Sequence, residues 1–127
     1  MYSVHLAAYQ GNTLVTMPRF DMEKFCALVE KYKCTRAHLV PPIVLGLAKS
    51  PLVEEHDLSS LKVITSAAAP LGGELEQEAS ERLNVIIKQA WGMSELSPLG
   101  TCVPDDGCKP GKNQTIGVQI TMHSTIL

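Results

Sequence analysis

The chain has no block of like charge: its 11 basic and 13 acidic residues are spread along 127 positions and leave a formal net charge of −2. So balanced a chain has nothing that would condense on a phosphate backbone or an anionic lipid surface, which argues against nucleic-acid and membrane partners. Long apolar runs are missing too. The longest, residues 39–48, contains Pro41, Pro42 and Gly46 and is far too short to cross a bilayer, so no membrane span is expected. Residues 1–5 lack a basic segment followed by an apolar one; no signal peptide is expected, and an intracellular location follows.

Metal and redox signatures are absent in the same way. Cys26, Cys34, Cys102 and Cys108 are spaced by 8, 68 and 6 residues, which matches neither a Cys-x-x-Cys pair nor a dense disulfide framework. They read as reduced, buried or half-buried thiols. His5, His38, His56 and His123 are scattered, so a metal site built from protein ligands alone is disfavoured. There is no phosphate-binding Gly-x-x-x-x-Gly-Lys-Ser/Thr loop, no Gly-x-Gly-x-x-Gly and no Gly-x-Ser-x-Gly elbow. Internal repeats and low-complexity tracts are lacking as well.

What is present is an ordinary globular composition, 45% apolar and 19% charged, in a chain long enough for one small domain. Residues 12–17 alternate polar and apolar side chains and are expected to form a strand ending at Pro18. Asp21 is a plausible helix N-cap, and Met22, Phe25, Cys26, Val29 and Tyr32 then trace one apolar stripe. Residues 36–40 read as a strand. Pro41 and Pro42 suit a helix entry, and a short helix over 43–49 ends at Ser50, which Pro51 forces out of the helical region. Residues 61–65 read as a strand, 66–73 as a loop, and 74–83 as a helix with Leu75, Ala79 and Leu83 on one face and Asn84 at its end. An apolar strand over 85–89 is expected to be buried on both faces. Residues 104–113 are a polar turn-rich loop, and 115–121 resume as a strand. The alternation predicts an α/β fold, a mostly parallel sheet flanked by helices with ligands at the carboxyl ends of its strands.

Two loops stand at such ends. In Ser66-Ala67-Ala68-Ala69-Pro70 the three alanines leave backbone groups accessible to a flat heteroaromatic ring, although a loop of this composition also serves plain packing. In Gln89-Ala90-Trp91-Gly92-Met93-Ser94-Glu95 an indole, a hydroxyl and a carboxylate fall within one turn-sized stretch. The indole can stack on a base, the hydroxyl can bond a phosphate oxygen, and the carboxylate can hold Mg²⁺; a buried Trp beside a helix-capping Ser and Glu is the alternative.

Together with residues 12–21, 39–51 and 57–61, these two segments follow in order the pattern of a known family, and the chain resembles the adenylate-forming (AMP-binding) superfamily, in particular its 4-coumarate-CoA ligase-like and luciferase-like acyl-CoA ligases. The resemblance implies a partial subdomain of that family's large N-terminal domain over residues 1–118, with a divergent tail at 119–127. It implies activation of a fatty or aryl carboxylic acid by ATP and Mg²⁺ as an acyl-adenylate, followed by transfer to coenzyme A. Ala68, Ala69, Pro70, Gln89, Ala90, Trp91, Gly92 and Ser94 would bind the nucleotide. Ser94 and Glu95 would be catalytic, with Glu95 on Mg²⁺, and Tyr2, Ala67, Ala90, Pro98 and Leu99 would line the acyl pocket.

Ala67 and Ala90 stand where the family often has glycine, Trp91 where tyrosine is usual, and Ser94 where threonine is usual. The family's phosphate loop, its ribose-binding aspartate and its C-terminal domain with the catalytic lysine have no counterpart here. The resemblance therefore implies the middle of a ligase, inactive by itself. The other reading is a non-catalytic nucleotide-binding or interaction module that associates through exposed sheet edges. Relatives are cytosolic or peroxisomal, and Thr125-Ile126-Leu127 is not a peroxisomal Ser-Lys-Leu signal.

Overall fold

In a computed structural model, residues 2–96 and 99–102 are described. The elements follow in the order α1 (Tyr2–Gln10), α2 (Met22–Tyr32), β1 (Arg36–Leu39), α3 (Pro41–Lys49), a 3₁₀ turn (Pro51–Glu54), β2 (Val63–Ser66), α4 (Gly73–Leu83), β3 (Ile86–Trp91), a second 3₁₀ turn (Ser94–Leu96) and β4 (Thr101–Cys102).

The strands form one sheet in the order β1-β2-β3-β4. β1 to β3 run parallel, and β4 returns antiparallel against the end of β3. The sheet is thus mostly parallel, as its alternating pattern requires. The row Ala37, Ile64 and Ile87, aligned by the register, is buried beneath α3 and α4, which pack on each other. The next row on that face, Leu39, Ser66 and Gln89, closes the carboxyl edge and is buried as well. Side chains of the intervening rows face the other way: Arg36, His38 and Ile86 are exposed there. β3 is accordingly not buried on both faces along its first half: Ile86 is 40% exposed, although Val63 beside it in the same row is buried.

Local chemistry explains the boundaries. Asp21 accepts the Lys24 amide at 3.0 Å to cap α2, and Lys33 closes it in the left-handed conformation. Asn84 closes α4 in the same conformation, with the Ser80 hydroxyl donating to the Val85 carbonyl at 2.6 Å. Pro41 opens α3 and Ser50 ends it; the Ser50 hydroxyl then accepts the Leu52 amide of the 3₁₀ turn. Arg82 of α4 donates to the carbonyls of Ala48 and Ser50 and pairs with Glu54 at 3.0 Å, which fastens the end of α3 to α4.

The core joins Phe25, Cys26 and Val29 of α2 to Val44, Leu47 and Ala48 of α3, with Ile64, Leu71, Ala79 and Ile87. Cys26 and Cys102 are buried and Cys34 is half-buried, all as free thiols. Outside the core, Lys33 pairs with Asp57 at 2.7 Å and His56 with Glu30 at 2.8 Å. The Lys33 ammonium, followed by the Ser59 hydroxyl and amide, holds the Asp57 carboxyl well below the usual carboxylate range.

Two further expectations are corrected. Residues 12–17 form no strand: Val15 and Met17 are half-buried, yet among the described residues this backbone has no neighbouring strand with which to make a ladder. The chain instead opens with helix α1, closed by the Asn12 amide on the Ala7 carbonyl at 2.8 Å, with Gly11 at a φ of 67°. The strand expected at 61–65 begins at Val63, because Leu61 and Lys62 turn to bond the carbonyls of Leu58 and Thr35. The expected strand at 115–121, the loop at 104–113 and the tail at 119–127 lie outside the described residues. Among the described residues, no helix is long and apolar enough to cross a membrane.

Candidate functional site

β2 and β3 are adjacent and parallel, so the segments that follow them leave the sheet side by side at its carboxyl edge. From β2 the chain runs through residues 67–72 into α4, and from β3 through residues 92–100 into β4. At the first exit the Ala67 amide donates to the Leu39 carbonyl at 3.2 Å, extending the β1–β2 ladder by one bond. Ala68 then adopts a φ of 76°, a left-handed conformation that costs an L-residue roughly 1–2 kcal/mol. Ala68, Ala69 and Pro70 stand exposed, while Leu71 turns back into the core.

β3 runs two residues beyond the expected strand at 85–89, so Ala90 and Trp91 join Gln89 on the strand and do not lie in a loop. Pleating then assigns their roles. Gln89 and Ala90 are buried, whereas the Trp91 indole is 41% exposed at the strand's end. The Gly100 amide donates to the Trp91 carbonyl at 2.9 Å, and Trp91 pairs with Thr101 across the antiparallel ladder, which holds the ring beside the edge. Gly92, Met93, Ser94 and Glu95 follow, all exposed, with Ser94 and Glu95 in the short 3₁₀ turn.

The structure therefore assembles at one edge most of the residues singled out in the sequence. Ala68, Ala69, Pro70, Trp91, Gly92, Ser94 and Glu95 are exposed, Ala67 and Leu99 are half-buried, and Ala90 is buried. Tyr2 opens α1, and its side chain lies outside the described residues, as does Pro98.

Gln89 has a different place from the others. Its carboxamide is turned inward, accepting the Leu71 amide at 3.1 Å and donating to the Leu71 carbonyl at 3.1 Å and to Glu76 Oε2 at 3.2 Å. Only its backbone remains to face a ligand. Glu76, in the first turn of α4 and fully buried, is the residue that sequence reasoning missed. In sequence it is one of several glutamates on a helix, and nothing in the spacing separates it from its exposed neighbours. Two buried hydroxyls on the strands flanking β3, those of Ser66 and Thr101, have no hydrogen-bond partner among the described residues.

The donor set fits a phosphate-bound hard cation. Glu95 offers an exposed carboxyl and Ser94 a hydroxyl one residue away. A magnesium ion held by one or two carboxylates plus phosphate oxygens needs no more from the protein. No basic side chain belongs to residues 67–72 or 92–96.

Fold and edge together define an α/β scaffold with two largely exposed loops at one carboxyl edge of its sheet. Comparison with known proteins gives the family. The model of the AMP-binding enzyme family matches residues 1–126. A probable 4-coumarate-CoA ligase 3 of Dictyostelium discoideum is 41% identical over 118 residues, covering 91% of this chain and 21% of that protein. The 4-coumarate:CoA ligase 1 of Petunia hybrida is 47% identical over 90 residues, 70% of this chain and 16% of that protein. Among solved structures, a long-chain-fatty-acid-CoA ligase of Archaeoglobus fulgidus superposes with a TM-score of 0.76 at 29% identity, covering 92% of this chain and 25% of that one. The chain belongs to the AMP-binding enzyme family, and it spans about a fifth of the length of the curated relatives it matches.

Proposed function

We propose that this chain supplies the adenine-nucleotide part of an acid–coenzyme A ligase site. The observation that carries the reading is the pairing of two exposed loops on adjacent parallel strands, one of small residues at Ala68, Ala69 and Pro70, the other bearing Trp91, Ser94 and Glu95. Naming of its relatives as 4-coumarate-CoA ligases and a fatty-acid-CoA ligase supports the same chemistry. In that chemistry a carboxylate oxygen attacks the α-phosphorus of ATP, pyrophosphate leaves, and the thiol of coenzyme A then displaces AMP from the acyl-adenylate.

Each residue has a definite part. The Trp91 indole lies flat against the base, and the backbone of residues 68–70 meets the ring edge. Ser94 donates its hydroxyl to a phosphate oxygen. Glu95 would hold Mg²⁺, which would offset negative charge on the phosphates. The acyl group lies toward Ala67, Ala90 and Leu99, where the two alanine methyls narrow the space available to it. Since neither loop brings a lysine or arginine to the triphosphate, binding without appreciable turnover is expected of the chain by itself.

Trp91 is the chain's one tryptophan, so its fluorescence reports on the site directly. Titration with Mg-ATP should quench it saturably, and Glu95→Gln should weaken the Mg-ATP effect more than that of metal-free AMP. An unchanged spectrum up to millimolar nucleotide would sink the nucleotide reading. Pyrophosphate release with a panel of fatty and cinnamic-type acids tests turnover, and a rate typical of enzymes, about 1 s⁻¹ or faster, would overturn the expectation of binding alone.

A further inference from the structure

We propose that Glu76 is a positioning residue for the site: through the Gln89 carboxamide it fixes the backbone of the 67–72 loop relative to Trp91, without touching ligand itself. The ligand arm of this proposal rests on the nucleotide reading above; the structural arm does not.

The geometry begins at Leu71. Here the chain has left β2 and no strand ladder is available, yet its amide and its carbonyl both point at β3 and both are paired. The Gln89 carboxamide serves as a substitute peptide group, Oε1 accepting the Leu71 amide and Nε2 donating to the Leu71 carbonyl, each at 3.1 Å. A carboxamide has a second N–H, and this one is enclosed beside Leu71, which is buried. Left unpaired it would be costly, and it is met by Glu76 Oε2 at 3.2 Å. The carboxyl also forbids the flipped carboxamide, which would set Gln89 Oε1 against Glu76 Oε2. Glu76 therefore determines which way Gln89 faces, and Gln89 in turn holds both polar groups of Leu71.

Two anchors thus pin the loop, the Ala67 amide on Leu39 at one end and Leu71 on Gln89 at the other. Between them are Ala68, at its positive φ, with Ala69 and Pro70, whose backbone faces solvent. Relaxation of either anchor allows Ala68 to leave its left-handed conformation and changes where these backbone groups point. Gln89 is also two residues before Trp91 on the same strand, so one side chain sets the spacing between the two walls of the site.

The test compares Glu76→Met, which keeps side-chain length and helix propensity but removes the acceptor, with Glu76→Gln, which keeps a carbonyl acceptor. Amide exchange by NMR on the full chain should show Leu71 accelerated about tenfold or more in Glu76→Met, the Ile64 amide in the sheet unchanged, and Leu71 protection recovered in Glu76→Gln. In parallel, Mg-ATP affinity read from Trp91 should weaken about five- to tenfold in Glu76→Met and recover in Glu76→Gln. A folded Glu76→Met chain with Leu71 exchange as in the parent overturns the proposal. If the parent itself binds no nucleotide, the nucleotide reading fails while the Leu71 result still decides the positioning role. Should Glu76→Met not fold, the parent chain provides the decision: the Gln89 side-chain protons should exchange much more slowly than those of exposed Gln77, and equal rates overturn the assignment.

Discussion

At the scale of single residues, the site loop and the sheet's open face each contain one group held away from its ordinary state. Ala68 has a φ of 76°. Ala68→Gly removes the clash between methyl and backbone but adds freedom to the unfolded chain, and relief exceeds the entropic loss. The variant should be more stable by roughly 0.5 kcal/mol, read as a higher urea midpoint, and a lower midpoint would show that Ala68 is unstrained. His38 is the second such group. Although its surface is exposed, partial desolvation against the sheet, followed by the nearby Lys88 and Arg36 charges, lowers its pKa. The unfolded chain, with an ordinary histidine pKa of about 6.5, therefore binds more protons than the folded one below that pH. His38 contributes no penalty above that range, and stability falls as pH drops through it toward the lowered folded value. His38→Gln should flatten this dependence between about pH 7 and 5.5, with the other histidines common to both chains. Parallel pH profiles for the two chains would count against the assignment.

Among the elements, β2 and β3 bear the greatest packing load, and their pleat decides what each position is worth. Ile64 is fully buried at the centre of β2, and Ile86 opens β3 with 40% of its surface exposed. Ile64→Ala should cost about 2–5 kcal/mol and Ile86→Ala less than about 1 kcal/mol, both by chemical denaturation. Equal losses would mean that the second face of the sheet is covered as well as the first. Helices α2, α3 and α4 were readable because their signals are local, whereas α1 was not. Asp21 and Asn84 punctuate α2 and α4 as capping chemistry demands, and the stripe from Met22 through Val29 faces the core. Residues 12–17 show the limit of the same reasoning: alternation specifies which side chains turn inward, whereas a strand also requires a backbone partner.

For the molecule as a whole, exposed apolar surface is the property with the clearest consequence. Tyr9 at 90% exposure, Val4, Leu14, Ile86, Trp91 and Met93 all face solvent. Surfaces of this kind associate when nothing else covers them. Sedimentation velocity should show concentration-dependent self-association of the chain from about 10 to 100 µM, weakened by Ile86→Lys; a clean monomer throughout would refute it.

Length, balanced charge and alternating periodicity determined by themselves that this chain folds as an α/β unit with a mostly parallel sheet. The two short segments at 66–70 and 89–95 also pointed to one edge of the sheet and, through resemblance, to the family. These features are legible because caps, periodicity and small-residue loops act over a few neighbouring residues. Tertiary structure alone decided that β3 continues through Trp91, that Ala68 takes a positive φ, and that Gln89 turns inward to Leu71 and Glu76. The physical reason is common to all three: hydrogen bonds between residues 13 and 18 positions apart and the register of neighbouring strands depend on how distant segments pack. No local pattern distinguishes a glutamate that will be buried against such a partner from one that will face water.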